Sequence, residues 1–225
     1  MQLISDMGTR LHGVVIMGDF MDMFTLGSYN ANSLGLLTGI DLGMEYEDAN
    51  EGLDNIEQAS HKALKKVYLF GNHEYRYFTE VNKADNAKYG SALKNPVEAL
   101  GLDHRGYEFF TRWKHDFYIL GTDLAVTHGF RHPIHAAKAH LDIVDHSAVF
   151  CHTHRIQSFH IGERAAYNIG FMGNLKDSAF GYADIGAHRT WANGFARVHV
   201  NDNGGYWLEQ IKPHNDSFVC DGRMY

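Results

Sequence analysis

The chain has 225 residues, 44% of them hydrophobic, which is enough to bury a substantial core, and nothing in that length requires more than one domain across 1–225. Its formal charge of -7, from 20 Lys plus Arg against 27 Asp plus Glu, excludes the broad basic field that attracts nucleic acid regardless of sequence. No apolar run reaches the roughly 18–20 residues that span a bilayer, and two cysteines, Cys151 and Cys220, are too few for a disulfide framework, so a soluble protein of a reducing cytoplasm is expected.

Taken in chain order, Leu3, Ile4, Met7 and Leu11 recur at helical spacing and predict an amphipathic helix over 3–12, stopped by Gly13. An apolar strand follows, Val14 to Met17. It runs straight into Asp19 and Asp22, carboxylates that must be solvated, paired or bound to a cation. Residues 24–43, rich in Gly, Ser and Asn, read as a long surface excursion of the kind that forms lids. Met44 to Lys66 has helix-forming composition, and a second strand, Val67 to Phe70, leads into the polar run Gly71 to Tyr77. Further helices are expected at 79–94, 96–100 and 133–141, with Pro133 suited to a first turn. "DLAVTHG" puts His128 directly after an apolar strand, and Ala148 to Phe150 is followed by Cys151, His152 and His154. Alternation on both sides of Asn203-Gly204 predicts a hairpin near the C-terminus.

Four strands that each end in metal-capable side chains, separated by helices or long loops, predict an α/β layered fold with a site at the carboxyl ends of its strands. Sixteen histidines are present, and eight fall between His128 and His160, neither contiguous nor terminal, so imidazole chemistry is expected. Asp19, Asn72, His128, His152 and His154 offer carboxylate oxygen, amide oxygen and neutral imidazole, a mixture suited to divalent Mn, Fe or Zn. A carboxylate can bridge two ions, and a pair about 3.5–4 Å apart activates water and stabilises charge on an attacked phosphorus.

The blocks "GDFMD", "GNHE", "VTHG" and "CHTH", in that order, resemble the signatures of calcineurin-like metallophosphoesterases over about residues 14–160. The resemblance implies a layered β-sandwich flanked by helices, with two metal positions. It makes Asp19 the bridging carboxylate, with Asn72, His128 and His152 completing one position and His154 serving the other. His73 would act near the leaving group as acid or electrostatic stabiliser, Asp22 would orient it, and Glu74 would support the ligands rather than bind metal. Cys151 stands where the family has glycine. An Asp-x-His block normally precedes the Asp19 strand, and here Gly8 stands where its histidine would follow Asp6. The second metal position is therefore expected to keep only Asp19 and His154, completed by water or by another chain. An uncovered edge beside the Val14 strand makes a homo-oligomer a candidate.

The expected activity is hydrolysis of phosphate mono- or diesters by a metal-activated water, on nucleotides, phosphodiesters or nucleic-acid ends. Arg76 and Arg155, flanking the motifs, are candidates to clamp phosphate. His188 and Trp191 are candidate pocket residues. His132, His135, His140, His146 and His160 read as solvated or capping. Two alternatives stand beside this reading. One is a Ser/Thr protein phosphatase, although "GDFMDM" lacks the Arg-Gly ending of that group. The other is a metal-binding or interaction protein that has lost turnover along with the upstream ligands.

Overall fold

The computed structural model describes residues 1–26, 41–81, 83, 90, 92–174, 185–215 and 217–225; from 27 to 40 the expected excursion lies outside them, as does the side chain of His188. The described residues form two compact units, Met1–Arg112 and Trp113–Tyr225.

Three strands organise the first unit: β1 (Gly13–Ile16), β2 (Lys65–Leu69) and β3 (Glu108–Phe110), all parallel in the order β1-β2-β3. Parallel neighbours need a crossover, and between β1 and β2 it is supplied by α2 (Leu42–Ala59). That helix starts where it does because the Asp41 carboxylate accepts the Met44 N–H at 2.9 Å. Leu42, Tyr46, Ala49 and Leu53, spaced at helical intervals, give it one buried face. They join Met21, Met23, Tyr68, Phe70, Leu100 and Leu102 in one core.

The expected N-terminal helix is present as α1 (Gln2–Met7), continued by a 3-10 turn over Gly8–Arg10. Asp6 therefore lies in a helix and not at a strand end. The helix after "GN" begins earlier than 79: α3 spans Asn72–Glu80, because Gly71 is its N-cap and Glu74, three residues on, reaches back to accept the Gly71 N–H at 3.0 Å. Much of the range expected to be helical up to 94 lies outside the described residues. α4 (Pro96–Ala99) starts with proline in its first turn behind an Asn95 cap.

In the second unit, β4 (Tyr118–Leu120), β5 (Leu124–Val126), β6 (Ser147–Phe150), β7 (Ile156–Ile161) and β8 (Arg164–Ile169) form one mixed sheet in the order β4-β5-β6-β8-β7. β5, β6 and β8 run parallel, while β4 and β7 join antiparallel. Every residue of β5 and β6 is buried, which explains their continuous apolar sequences. α5 (Ala136–Leu141) places Ala136, Ala137 and Leu141 in a core with Ala148, Phe150 and Ala166. Its start falls after Pro133, not on it.

α6 (Ile185–Thr190) precedes the expected hairpin, formed by β9 (Phe195–Val200) and β10 (Tyr206–Ile211). Its loop is held by the Asn201 side-chain oxygen, which accepts the N–H groups of Asn203 at 3.1 Å and Gly205 at 2.8 Å. A second hairpin, β11 (Val219–Cys220) with β12 (Arg223–Met224), turns through Asp221 and Gly222 at φ 52° and 72°. The architecture is thus α/β, with mixed strand directions, few helices and a C-terminal β-hairpin. No described helix is long and apolar enough to cross a membrane.

Candidate metal centre

In the first unit, the chain leaves β1 through Gly18 at φ 84° and Asp19 at φ 52°. A non-glycine residue in the left-handed region is held there by its surroundings at a cost of about 1–3 kcal/mol, and such residues concentrate at functional sites. The surroundings here are chiefly Glu74. Its fully buried carboxylate accepts the N–H groups of Asp19 (2.9 Å) and Gly71 (3.0 Å) on one oxygen. The other oxygen accepts Phe20 N–H (2.8 Å), Met21 N–H (3.1 Å) and the Tyr68 hydroxyl (2.8 Å). Burial first, and the adjacent Glu74 second, hold the Tyr68 phenol well above its ordinary range, so it remains a donor.

The loops that follow β1 and β2 touch without room for side chains between them. A Cβ on Gly71 would lie 2.1 Å from Asp19 Oδ1, and one on Gly18 would lie 2.3 Å from Gly71 N. This approach lets Asp19 Oδ1 accept the His73 N–H at 2.8 Å at the start of α3. His73 Nδ1 lies 2.6 Å from Asp22 Oδ1, and its Nε2 is 3.6 Å from Asp19 Oδ2. Burial pushes this imidazole down, but the Asp19 charge and the Asp22 hydrogen bond outweigh burial and the opposing Arg76, leaving its pKa raised. Arg76 Nη1 donates to the carbonyls of Asp22 (2.9 Å) and Met23 (3.2 Å), so this guanidinium holds the loop.

In the second unit, His128 follows β5 and His152 follows β6, its parallel neighbour. His128 is 2% exposed. His128 Nε2 lies 3.1 Å from His152 Nδ1, and the backbone N–H of His152 donates to the His128 carbonyl at 2.9 Å. Trp113 packs its ring against both imidazoles and donates its indole N–H to the Gly129 carbonyl at 2.6 Å. Nothing in the sequence around Trp113 singles it out for this place. His154, at φ 58°, is stacked on Phe171 at 4.6 Å with the edge of Trp191 against it. Arg155 donates to the Pro133 carbonyl at 3.0 Å and to the Thr190 hydroxyl.

Of the other histidines, His132, His135, His146 and His160 are exposed, as the solvated reading has it. His140 is not. It is fully buried, stacked on Phe150 at 3.8 Å, with Nδ1 2.8 Å from the Ala136 carbonyl and Nε2 accepting the N–H groups of Phe130 and Arg131. Burial lowers its pKa to about 4, so it stays neutral and secures the loop that follows His128.

Among the described residues, His128 and His152 offer two imidazoles in the second unit, and Asp19 offers a carboxylate in the first. Their donors fit a divalent transition metal: one carboxylate and two imidazoles. Comparison with family models, curated proteins and solved structures finds no match to this chain.

Proposed function

We propose that the protein is a metal-dependent phosphoesterase of the calcineurin-like kind, with Asp19, Asn72, His128, His152 and His154 as ligands to divalent Mn, Fe or Zn. The observation that carries this reading is the pair of imidazole nitrogens, His128 Nε2 and His152 Nδ1, 3.1 Å apart at the ends of adjacent parallel strands. Two nitrogens each about 2.1 Å from one ion and at right angles are about 3.0 Å apart, so this spacing suits two neighbouring ligands of one cation. In this proposal Asp19 supplies the negatively charged oxygen ligand that a divalent cation favours.

When bound, the metal supplies Lewis acidity toward the phosphate and a water nucleophilic at neutral pH. The chain's own contribution is orientation and proton transfer. Asp22, 2.6 Å from Nδ1, fixes the His73 ring, which when protonated would donate from Nε2 to a departing oxygen. Glu74 holds the backbone that carries Asp19. Arg76 and Arg155 each commit Nη1 to backbone carbonyls, so phosphate binding by either would use other N–H groups of the guanidinium or exchange those bonds.

The test is metal content by elemental analysis of protein purified without chelator, with turnover of bis-p-nitrophenyl phosphate and p-nitrophenyl phosphate. His128→Ala or His152→Ala should lose metal and activity together. His73→Ala should keep its metal and fall about 10²-fold or more in kcat. Loss of metal from the His73 variant would make His73 a ligand and overturn its role as proton donor. The non-catalytic metal binder is favoured by one observation, Asp6 lying within α1; one ion bound with no turnover on either ester is its signature. Turnover of a phosphopeptide with none of the diester points instead to a protein phosphatase.

A further inference from the structure

Cys151, between β6 and His152, has sulfur contacts that concern the histidine across the strand gap. Its Sγ lies 3.6 Å from His128 Nδ1, and its thiol donates to the carbonyl oxygen of the same His128 at 3.7 Å. The two backbones are fastened together as well: the Cys151 N–H donates to that carbonyl at 3.1 Å. A thiol has one hydrogen. With that hydrogen on the carbonyl, the contact to the ring is made by Nδ1–H donating to sulfur, and a neutral imidazole protonated at Nδ1 has its lone pair at Nε2. Nε2 is the nitrogen 3.1 Å from His152 Nδ1.

We propose that Cys151 is a positioning residue, whose sulfur fixes the Nδ1–H tautomer and the ring orientation of His128 and so presents Nε2 for metal ligation. The inference rests on the proposed metal centre, in which His128 is a ligand. Metal-bound histidines ordinarily donate the other ring N–H to a carboxylate, a carbonyl or water, and partners of this kind are typically worth 10–100-fold in metal affinity. Here a thiol takes that place. Were the thiol hydrogen instead on Nδ1, the imidazole would be protonated at Nε2 and turned away from ligation, so the tautomer separates the two arrangements.

The experiment uses the full chain and the variants Cys151→Ala and Cys151→Ser, with two readouts. The first is the His128 tautomer in metal-free protein, from long-range proton–nitrogen NMR of histidine-labelled samples, the signal assigned by its absence in His128→Ala. The second is Mn²⁺ affinity by calorimetry. Wild type and Cys151→Ser should show Nδ1–H at His128 and bind Mn²⁺ within a few fold of each other; Cys151→Ala should mix the tautomers and bind about tenfold more weakly or worse. An Nε2–H tautomer in wild type, or an alanine variant unchanged in either tautomer or affinity, overturns the proposal. A wild type that shows Nδ1–H yet binds no Mn²⁺, Fe²⁺ or Zn²⁺ overturns the metal centre and, with it, the consequence for ligation, while leaving the sulfur contact established. Equal metal binding by wild type and alanine variant leaves the metal centre intact and removes Cys151 alone.

Discussion

Two buried side chains set the local geometry of the loops, and both lend themselves to single substitutions. Glu74 gathers five donors onto one carboxylate, so Glu74→Gln puts an N–H₂ where an acceptor is required and leaves buried N–H groups unpaired. The expected loss is about 3 kcal/mol or more in urea unfolding, with weakened metal binding because Asp19 rides on the same loop. His140 tests burial differently. Its folded pKa of about 4 lies below the ordinary value near 6.5, so the unfolded chain takes up the proton first. Its stabilising contribution is whole above about pH 6.5 and is lost as pH falls toward 4. Between pH 7.5 and pH 5 that amounts to about 2 kcal/mol, and His140→Gln, which keeps a donor and an acceptor, should lose that share of the pH dependence in urea midpoints. The sequence marks Asp19, Asp22, His73, His128 and His152 because each interrupts or directly follows an apolar run. The resemblance gives Glu74 a supporting role, but the sequence does not mark which groups it holds, nor the burial of His140, since their partners include backbone N–H groups that any sequence carries.

The elements read most clearly from sequence are those whose pattern is local. The helix expected from Met44 to Lys66 is α2, Leu42–Ala59. Leu42, Tyr46, Ala49 and Leu53 repeat at helical intervals behind the Asp41 cap, which the expected excursion to 43 includes, and Lys65 and Lys66 belong to β2. Removing the cap with Asp41→Ala should lower stability by about 1 kcal/mol, measured by chemical unfolding, without altering metal content. The start of α3 is less legible, because its capping residue is a glycine and its reciprocal acceptor is a glutamate already engaged with the Asp19 loop. Three-residue strands such as β3 and β4 carry too few positions for a period, and their existence follows from pairing with β2 and β5. The small hairpin β11–β12 had a signal in Asp221-Gly222, a pair suited to two consecutive positive φ values. Gly222 sits at φ 72° in open space, so Gly222→Ala should cost about 1 kcal/mol through backbone strain alone.

At the scale of the whole chain, the proposed ligands are divided between two units that each have a sheet of their own: Asp19 and Asn72 in Met1–Arg112, and His128, His152 and His154 in Trp113–Tyr225. Sequence order alone shows strand ends rich in donors, but a division of 225 residues into two units leaves no mark in composition or in a linker of Pro, Gly or Ser around residue 112. The division makes the proposed metal centre testable by linkage. An ion that binds only the folded chain stabilises it by about 2.7 kcal/mol at a hundred times its dissociation constant. For chains of this length that raises the melting temperature by about 5–10 °C. If carboxylate and imidazoles from both units hold one ion, saturating Mn²⁺ should raise the melting of both, whether calorimetry resolves one transition or two. Asp19→Asn should then reduce the shift for the second unit, although the substitution lies in the first. A shift confined to one transition and untouched by Asp19→Asn would mean that the His128–His152 pair binds metal without help from the first unit.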